Sequence, residues 1–177
     1  MTKNLLQLSL LTAVLSVGTT VFAASAPANI AVSATVSTTC TITATPLAFG
    51  DYDPIGVNAT ADKTGTGSVT VACAKGAATL TIGMNYGTHV SGTTQRQMVG
   101  PTATDLLSYN LFQPTSTTPG AACPGTIAWT MTAPGLLTLE KAPSKNGRTY
   151  NVCGTIPMGQ DASAGAYTDT VIATLNF

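Results

Sequence analysis

From Ile30 to Phe177 no stretch of this chain repeats its apolar residues at helical spacing, and Gly, Pro, Asn and Asp interrupt it about every ten residues. Between the interruptions apolar and polar residues alternate. Val69, Val71 and Cys73 share one parity over residues 68–73, as do Leu80, Ile82 and Met84 over 79–85. Side chains of a strand point alternately to its two faces, so the pattern requires half-buried strands. Further strands are expected over 106–112, over 126–131 with Ile127 and Trp129 on one side, and around Tyr150, Val152 and Ile156. Segments 87–101 and 114–125 read as loops. The whole predicts an all-β sandwich with an immunoglobulin-like number of strands.

Two runs at opposite ends of the chain stand apart. In 167–177, Tyr167, Val171, Ala173, Leu175 and Phe177 share one face, with Thr168, Thr170, Thr174 and Asn176 on the other. A core strand that closes a chain has no hairpin successor, so one of its edges needs a partner from earlier in the chain or from another molecule. Near the other end Ile30, Val32, Ala34 and Val36 alternate with Ala31, Ser33 and Thr35. That parity continues through Thr38, Cys40 and Ile42, so residues 28–44 read as one long strand or as two in succession.

The first residues have the three parts of a secretory leader: Lys3, an apolar run from Leu5 to Val17, and the small-residue site Val21-x-Ala23, with Ala24-x-Ala26 as a second cleavage site. The run is shorter than the ~20 residues of a spanning helix. Once a leader of residues 1–23 is removed, one domain's worth of chain remains. Charged residues make up 8% of the sequence and balance, seven basic against seven acidic, so there is no basic footprint for nucleic acid. So sparse a charge suits a protein packed into an assembly better than one kept soluble by its surface.

Cys40, Cys73, Cys123 and Cys153 all lie beyond the leader. An even count in an exported chain, with no C-x-x-C pair, points to two disulfides rather than zinc. Three connectivities exist. Sequential pairing, Cys40 with Cys73 and Cys123 with Cys153, is favoured because it closes loops of about 30 residues, each worth roughly 3 to 4 kcal/mol in the chain-entropy model.

Residues suited to catalysis are sparse. The one histidine, His89, has no Gly-x-Ser-x-Gly elbow to serve, and the carboxylates form no evident acid–base pair. Asp51, Asp53, Gly56 and Asp62 fit positions one, three, six and twelve of a calcium loop. Ile55 at position five and the missing bidentate Glu argue instead for a turn whose aspartates cap their own backbone. The chain is expected not to be an enzyme and to need no cofactor or metal.

Five ordered blocks carry a resemblance: Cys40-Thr-Ile-Thr-Ala-Thr-Pro-Leu-Ala-Phe-Gly50, Gly67-Ser-Val-Thr-Val-Ala-Cys73, Arg96-Gln-Met98, Leu107-Ser-Tyr-Asn-Leu-Phe112 and Ala164-Gly-Ala-Tyr-Thr-Asp-Thr-Val171. From about residue 38 to the end the chain resembles the spore coat protein U domain family, subunits of archaic chaperone-usher pili. The family often has an aromatic near position 153, where this chain has Cys153. The resemblance implies an incomplete immunoglobulin-like β-sandwich of six core strands whose seventh is supplied in trans. It implies a periplasmic chaperone, an outer-membrane usher and identical or related subunits as partners, and a cell-surface pilus reached through the periplasm. On that reading residues 24–36 are a donor-strand extension acting through Ile30, Val32, Ala34 and Val36. Residues 37–177 are the pilin domain, whose terminal strand lines the acceptor groove with Val171, Ala173, Leu175 and Phe177. The fibre would support adhesion and biofilm formation. The alternative is a secreted spore-coat or adhesive binding domain acting as a folded monomer.

Overall fold

The computed structural model describes residues 22–177. The expected leader therefore lies, up to residue 21, outside the described residues. No helix among the described residues is long and apolar enough to cross a membrane. The chain divides into two units, Met1–Thr35 and Val36–Phe177. In the first, the described residues form no regular secondary structure and expose their side chains. The second holds nine strands: β1 (Cys40–Ala48), β2 (Lys63–Cys73), β3 (Thr81–Met84), β4 (Val90–Ser91), β5 (Gln95–Val99), β6 (Leu106–Phe112), β7 (Leu137–Thr138), β8 (Arg148–Ile156) and β9 (Ala173–Asn176).

All pairings are antiparallel. One sheet has the order β1-β2-β8-β6-β5-β4 and the other β7-β3-β9. Cys40 opposes Cys73, and Val71 opposes Arg148, so these residues lie at one end of the large sheet. Ala48 opposes Thr66 and Lys63 opposes Ile156 at the other end. The inward parities of β2, β3, β6 and β8 meet between the sheets. Val69, Val71, Leu80, Ile82, Tyr150 and Ile156 are buried around Trp129, whose indole N–H donates to the carbonyl of Ile82 at 2.9 Å. A buried indole needs such an acceptor, because its N–H would otherwise forfeit its water hydrogen bond.

Cys40 is bonded to Cys73 and Cys123 to Cys153. The first bridge ties the start of the edge strand β1 to the end of β2. The second ties β8 to the 114–125 segment, which is a loop as its composition predicts.

Four expectations need correction. The strand read over 28–44 begins only at Cys40. Segment 87–101 is a hairpin, β4 with β5, because Gln95, Arg96, Gln97 and Met98 alternate between solvent and interior despite the surrounding Gly and Thr. Segment 126–131 makes a single bridge, Phe112 to Ala128, before a turn closed by the Gly135 N–H on the Thr132 carbonyl; Trp129 is buried but Ile127 is exposed. The terminal run is regular strand only over Ala173–Asn176. Before that, Thr168 bridges Val99 of β5, so the run starts against the large sheet and finishes in the small one. β7, two residues long, is too short for a period to register in the sequence.

Candidate functional site

β1 is the last strand of the large sheet and β9 of the small one, and the two come into contact along one flank of the sandwich. Among the described residues, each has one paired edge and one open edge. The Ala74 N–H donates to the Thr39 carbonyl, and by antiparallel alternation Thr41, Thr43 and Thr45 address β2. That leaves the backbone groups of Ile42 and Ala44 on the open edge. Pro46 stands on the same side, where a missing N–H breaks no ladder bond. The Asn85 N–H donates to the Ile172 carbonyl at 3.1 Å, so Thr174 and Asn176 address β3, and the backbone groups of Ala173 and Leu175 face outward.

Between these edges lies an apolar opening of about 430 Å³ lined by Leu47, Phe49, Met98, Tyr109, Val171 and Ala173 among others. It runs on, through Leu47, Phe49, Met98 and Tyr167, into a second opening of about 710 Å³ bounded by Asp51, Tyr52 and Pro54. Leu47 and Phe49 lie flat on the floor because β2 and β8 are bare beneath them. Gly65 opposes Gly154 in register, and a Cβ at Gly154 would stand 2.7 Å from the Phe49 ring and 2.8 Å from Leu47. A register shift between Thr45 and Ala48 swings Leu47 inward past Pro46.

A polar cluster closes the wall. The side chain of Asp169 is 2% exposed. It accepts from the Tyr109 hydroxyl at 2.7 Å, from the Thr88 hydroxyl at 2.6 Å and from the backbone N–H groups of Thr88 and Thr170. Burial pushes its carboxyl up, but these hydrogen bonds outweigh burial and hold it below the usual carboxylate range. Tyr109 is pushed up by burial and by the adjacent carboxylate. Arg96, 4% exposed, opposes Tyr109 across β5 and β6. Its guanidinium donates to the carbonyls of Met84, Asn85 and Trp129, joining three segments, and burial lowers its pKa. His89 sits half exposed, Nδ1 3.4 Å from Asp169. The Thr88 hydroxyl, 3.1 Å from the same Nδ1, gives its proton to that carboxylate and not to the imidazole.

Of the residues singled out from the sequence, Val171 and Ala173 line the opening. Leu175 is half-buried against the core, and Phe177 is 59% exposed. Ile30, Val32 and Val36 are 86%, 92% and 87% exposed, Ala34 is exposed as well, and none of the four is in a strand. Sequence reasoning missed Leu47, Phe49, Tyr109 and Asp169. The signal for Asp169 was available: it has the parity of Tyr167 and Val171, a charge on an apolar face in a chain with few charges. Asp53 caps its own turn, accepting from the Gly56 N–H at 2.9 Å, which is the turn reading of that motif.

Comparison with known proteins gives the family and the fold. Residues 26–174 match the Spore Coat Protein U domain. The chain is 35% identical over 166 residues to Protein U of Myxococcus xanthus, covering 88% of this chain and 87% of that one. Its fold is similar, at a TM-score of 0.55 and 21% identity, to a chain in the crystal structure of the CsuC-CsuE chaperone-tip adhesion subunit pre-assembly complex from archaic chaperone-usher Csu pili of Acinetobacter baumannii. That match covers 81% of this chain and 41% of the other, so this chain spans less than half the length of that neighbour. The sandwich is thus immunoglobulin-like, and the chain belongs to the Spore Coat Protein U domain family.

Proposed function

We propose that this chain is the structural subunit of a surface pilus assembled by the chaperone-usher pathway, and that the fibre supports adhesion and biofilm formation. The observation that carries the reading is the pair of unpaired edges, β1 and β9, flanking an apolar opening. Such an opening takes an extended strand, which satisfies the edge backbone with main-chain hydrogen bonds and fills the gap with alternate side chains. A periplasmic chaperone fills it first, and after an outer-membrane usher has received the subunit, residues 24–36 of another copy replace the chaperone strand. Ile30, Val32, Ala34 and Val36 have the parity for this, and in the free chain their side chains stand exposed. The contact joins two different surfaces and leaves one of each free, so it propagates as a fibre.

A variant lacking residues 24–36 tests the reading. It retains the groove, so it is expected to bind the chaperone yet never enter a fibre, while the intact chain gives a ladder of polymers that boiling collapses to monomer. Normal polymer from the truncated chain would refute the donor assignment, and a single monomer band from the intact chain would favour a folded secreted monomer.

A further inference from the structure

The few charges of this chain are sorted by the fold to opposite ends of the sandwich. At the end where β1 finishes and β2 starts, the connections carry Asp51, Asp53, Asp62, Asp105 and Asp161 against one cation, Lys63. At the end where β1 starts, Lys75, Lys141, Lys145 and Arg148 stand against one anion, Glu140. These sites come from well-separated parts of the sequence. They are brought together by antiparallel return: Gly76 donates to the Ala142 carbonyl at the basic end, and Ser163 donates to Asp105 at the acidic end. Arg96 and Asp169, the remaining two charges of the sandwich, are buried between the sheets.

The acidic end also presents apolar side chains to solvent. Ile55, Val57 and Met158 are 93%, 66% and 53% exposed. They ride on a rigid base: buried Asn58 accepts from the Asp53 N–H and donates to the Ala61 carbonyl, and Gly159 donates to the Asn58 carbonyl. Pro54, next to Ile55, bounds the groove itself, so this surface continues the opening where an inserted strand would emerge.

We infer that the acidic end is a docking surface for the basic end of a second copy, and that this charge pairing sets the direction in which the donor strand lies. The inference rests on the donor-strand reading of the groove. The run from Ala162 to Phe177 travels from the acidic end to the basic end. A strand added antiparallel to β9 travels the other way, so its Val36 leaves the groove at the acidic end. Only Ser37, Thr38 and Thr39 separate Val36 from Cys40, where β1 of the donating copy starts at that copy's basic end. The antiparallel arrangement therefore sets acid against base, with Ile55, Val57 and Met158 at the seam. A parallel strand would bring Val36 out at the acceptor's basic end and set base against base, which like-charge repulsion disfavours.

The test uses two charge-reversed chains without residues 1–23, one D62K/D161K and one K75E/K141E/K145E, together with a synthetic peptide of residues 24–36; neither set of substitutions touches a residue that lines the opening. Each chain is refolded alone, with the peptide, or with the other chain, and polymer is followed as a boiling-sensitive ladder. Each variant alone is expected to polymerise about tenfold more slowly than the unmodified chain at low salt, the scale of rate that electrostatic steering supplies. The mixture is expected to recover and alternate, because each reversed end then meets an opposite charge. High salt should slow the unmodified chain and relieve the variants. Peptide capture reports the groove alone and should be unchanged in both variants. If peptide is captured but the variants polymerise at the normal rate, or the mixture shows no recovery, the docking inference is wrong while the donor reading stands. If no chain captures the peptide, the donor reading itself fails.

Discussion

Arg96 and Asp169 are opposite charges kept inside a sandwich that otherwise sends its charges to the ends. Neither is placed there to pair directly: Arg96 spends its donors on the carbonyls of Met84, Asn85 and Trp129, and Asp169 collects hydroxyl and backbone donors. Arg96 therefore ties the end of β3 to the segment of Trp129, and Asp169 ties the run before β9 to the loop at Thr88. Replacing Arg96 by Met leaves the carbonyls of Met84, Asn85 and Trp129 short of a donor and is expected to destabilise the fold, in denaturant titration, by about 1 to 3 kcal/mol for each carbonyl left unsatisfied. Tyr109→Phe is subtler and reads out through pH. Asp169 has a depressed pKa in the folded chain, so its stabilisation is present above its unfolded pKa and is lost as pH falls through the folded value. Removing the Tyr109 hydroxyl raises that folded value. The acid unfolding midpoint of Tyr109→Phe, followed by circular dichroism, should therefore move to higher pH; an unshifted midpoint would mean that the hydroxyl does not hold the carboxylate. The sequence contained Arg96 within a recognisable block but in a stretch that looked like a loop. Its burial depends on partners 11 to 33 positions away, which local periodicity does not register.

At the scale of elements, the groove depends on β9 keeping one edge occupied and the other open. Alternation assigns Thr174 to β3 and Ala173 to the open edge, which makes proline a selective probe. Ala173→Pro removes a donor from the open edge and leaves the β3 ladder intact, so folding should survive while capture of the 24–36 peptide weakens. Thr174→Pro removes a ladder bond and should lower stability as well, by about 1 to 3 kcal/mol for the acceptor it leaves unsatisfied. Equal peptide capture by the Ala173→Pro chain and its parent in a fluorescence titration would contradict the assignment of the open edge. The terminal strand was legible because its apolar parity is clean from Val171 onward. The opposite rim was not: Pro46 and the register shift beside it break the alternation of β1, so Leu47 and Phe49 gave no strand signal of their own. Nor did the isolated pattern of 28–36 distinguish a strand of the chain's own sheet from one meant for another molecule. Both carry the same period, and the difference lies in which edge is free, a property of topology.

For the molecule as a whole, the open flank leaves the sandwich with an unfilled seam, and filling the seam should show as a gain in global stability. A fully buried Val or Ile side chain contributes roughly 1.5 to 3 kcal/mol. Ile30, Val32 and Val36 together offer several kcal/mol gross, from which the ordering of an extended peptide must be subtracted. Each kcal/mol that remains raises the Tm of a chain of this size by about 2 to 4 °C. Neither the two disulfides nor Trp129 lines the opening, so calorimetry of the chain lacking residues 24–36, with and without the 24–36 peptide, isolates the seam. A control peptide with Ile30, Val32 and Val36 each exchanged with the adjacent polar or small residue keeps the composition but turns the apolar side chains to the wrong face. The native peptide should raise Tm and the exchanged one should not. Equal shifts would show that the peptide sticks without entering the groove, and no shift with either would show that these residues are not the strand the groove is built to receive.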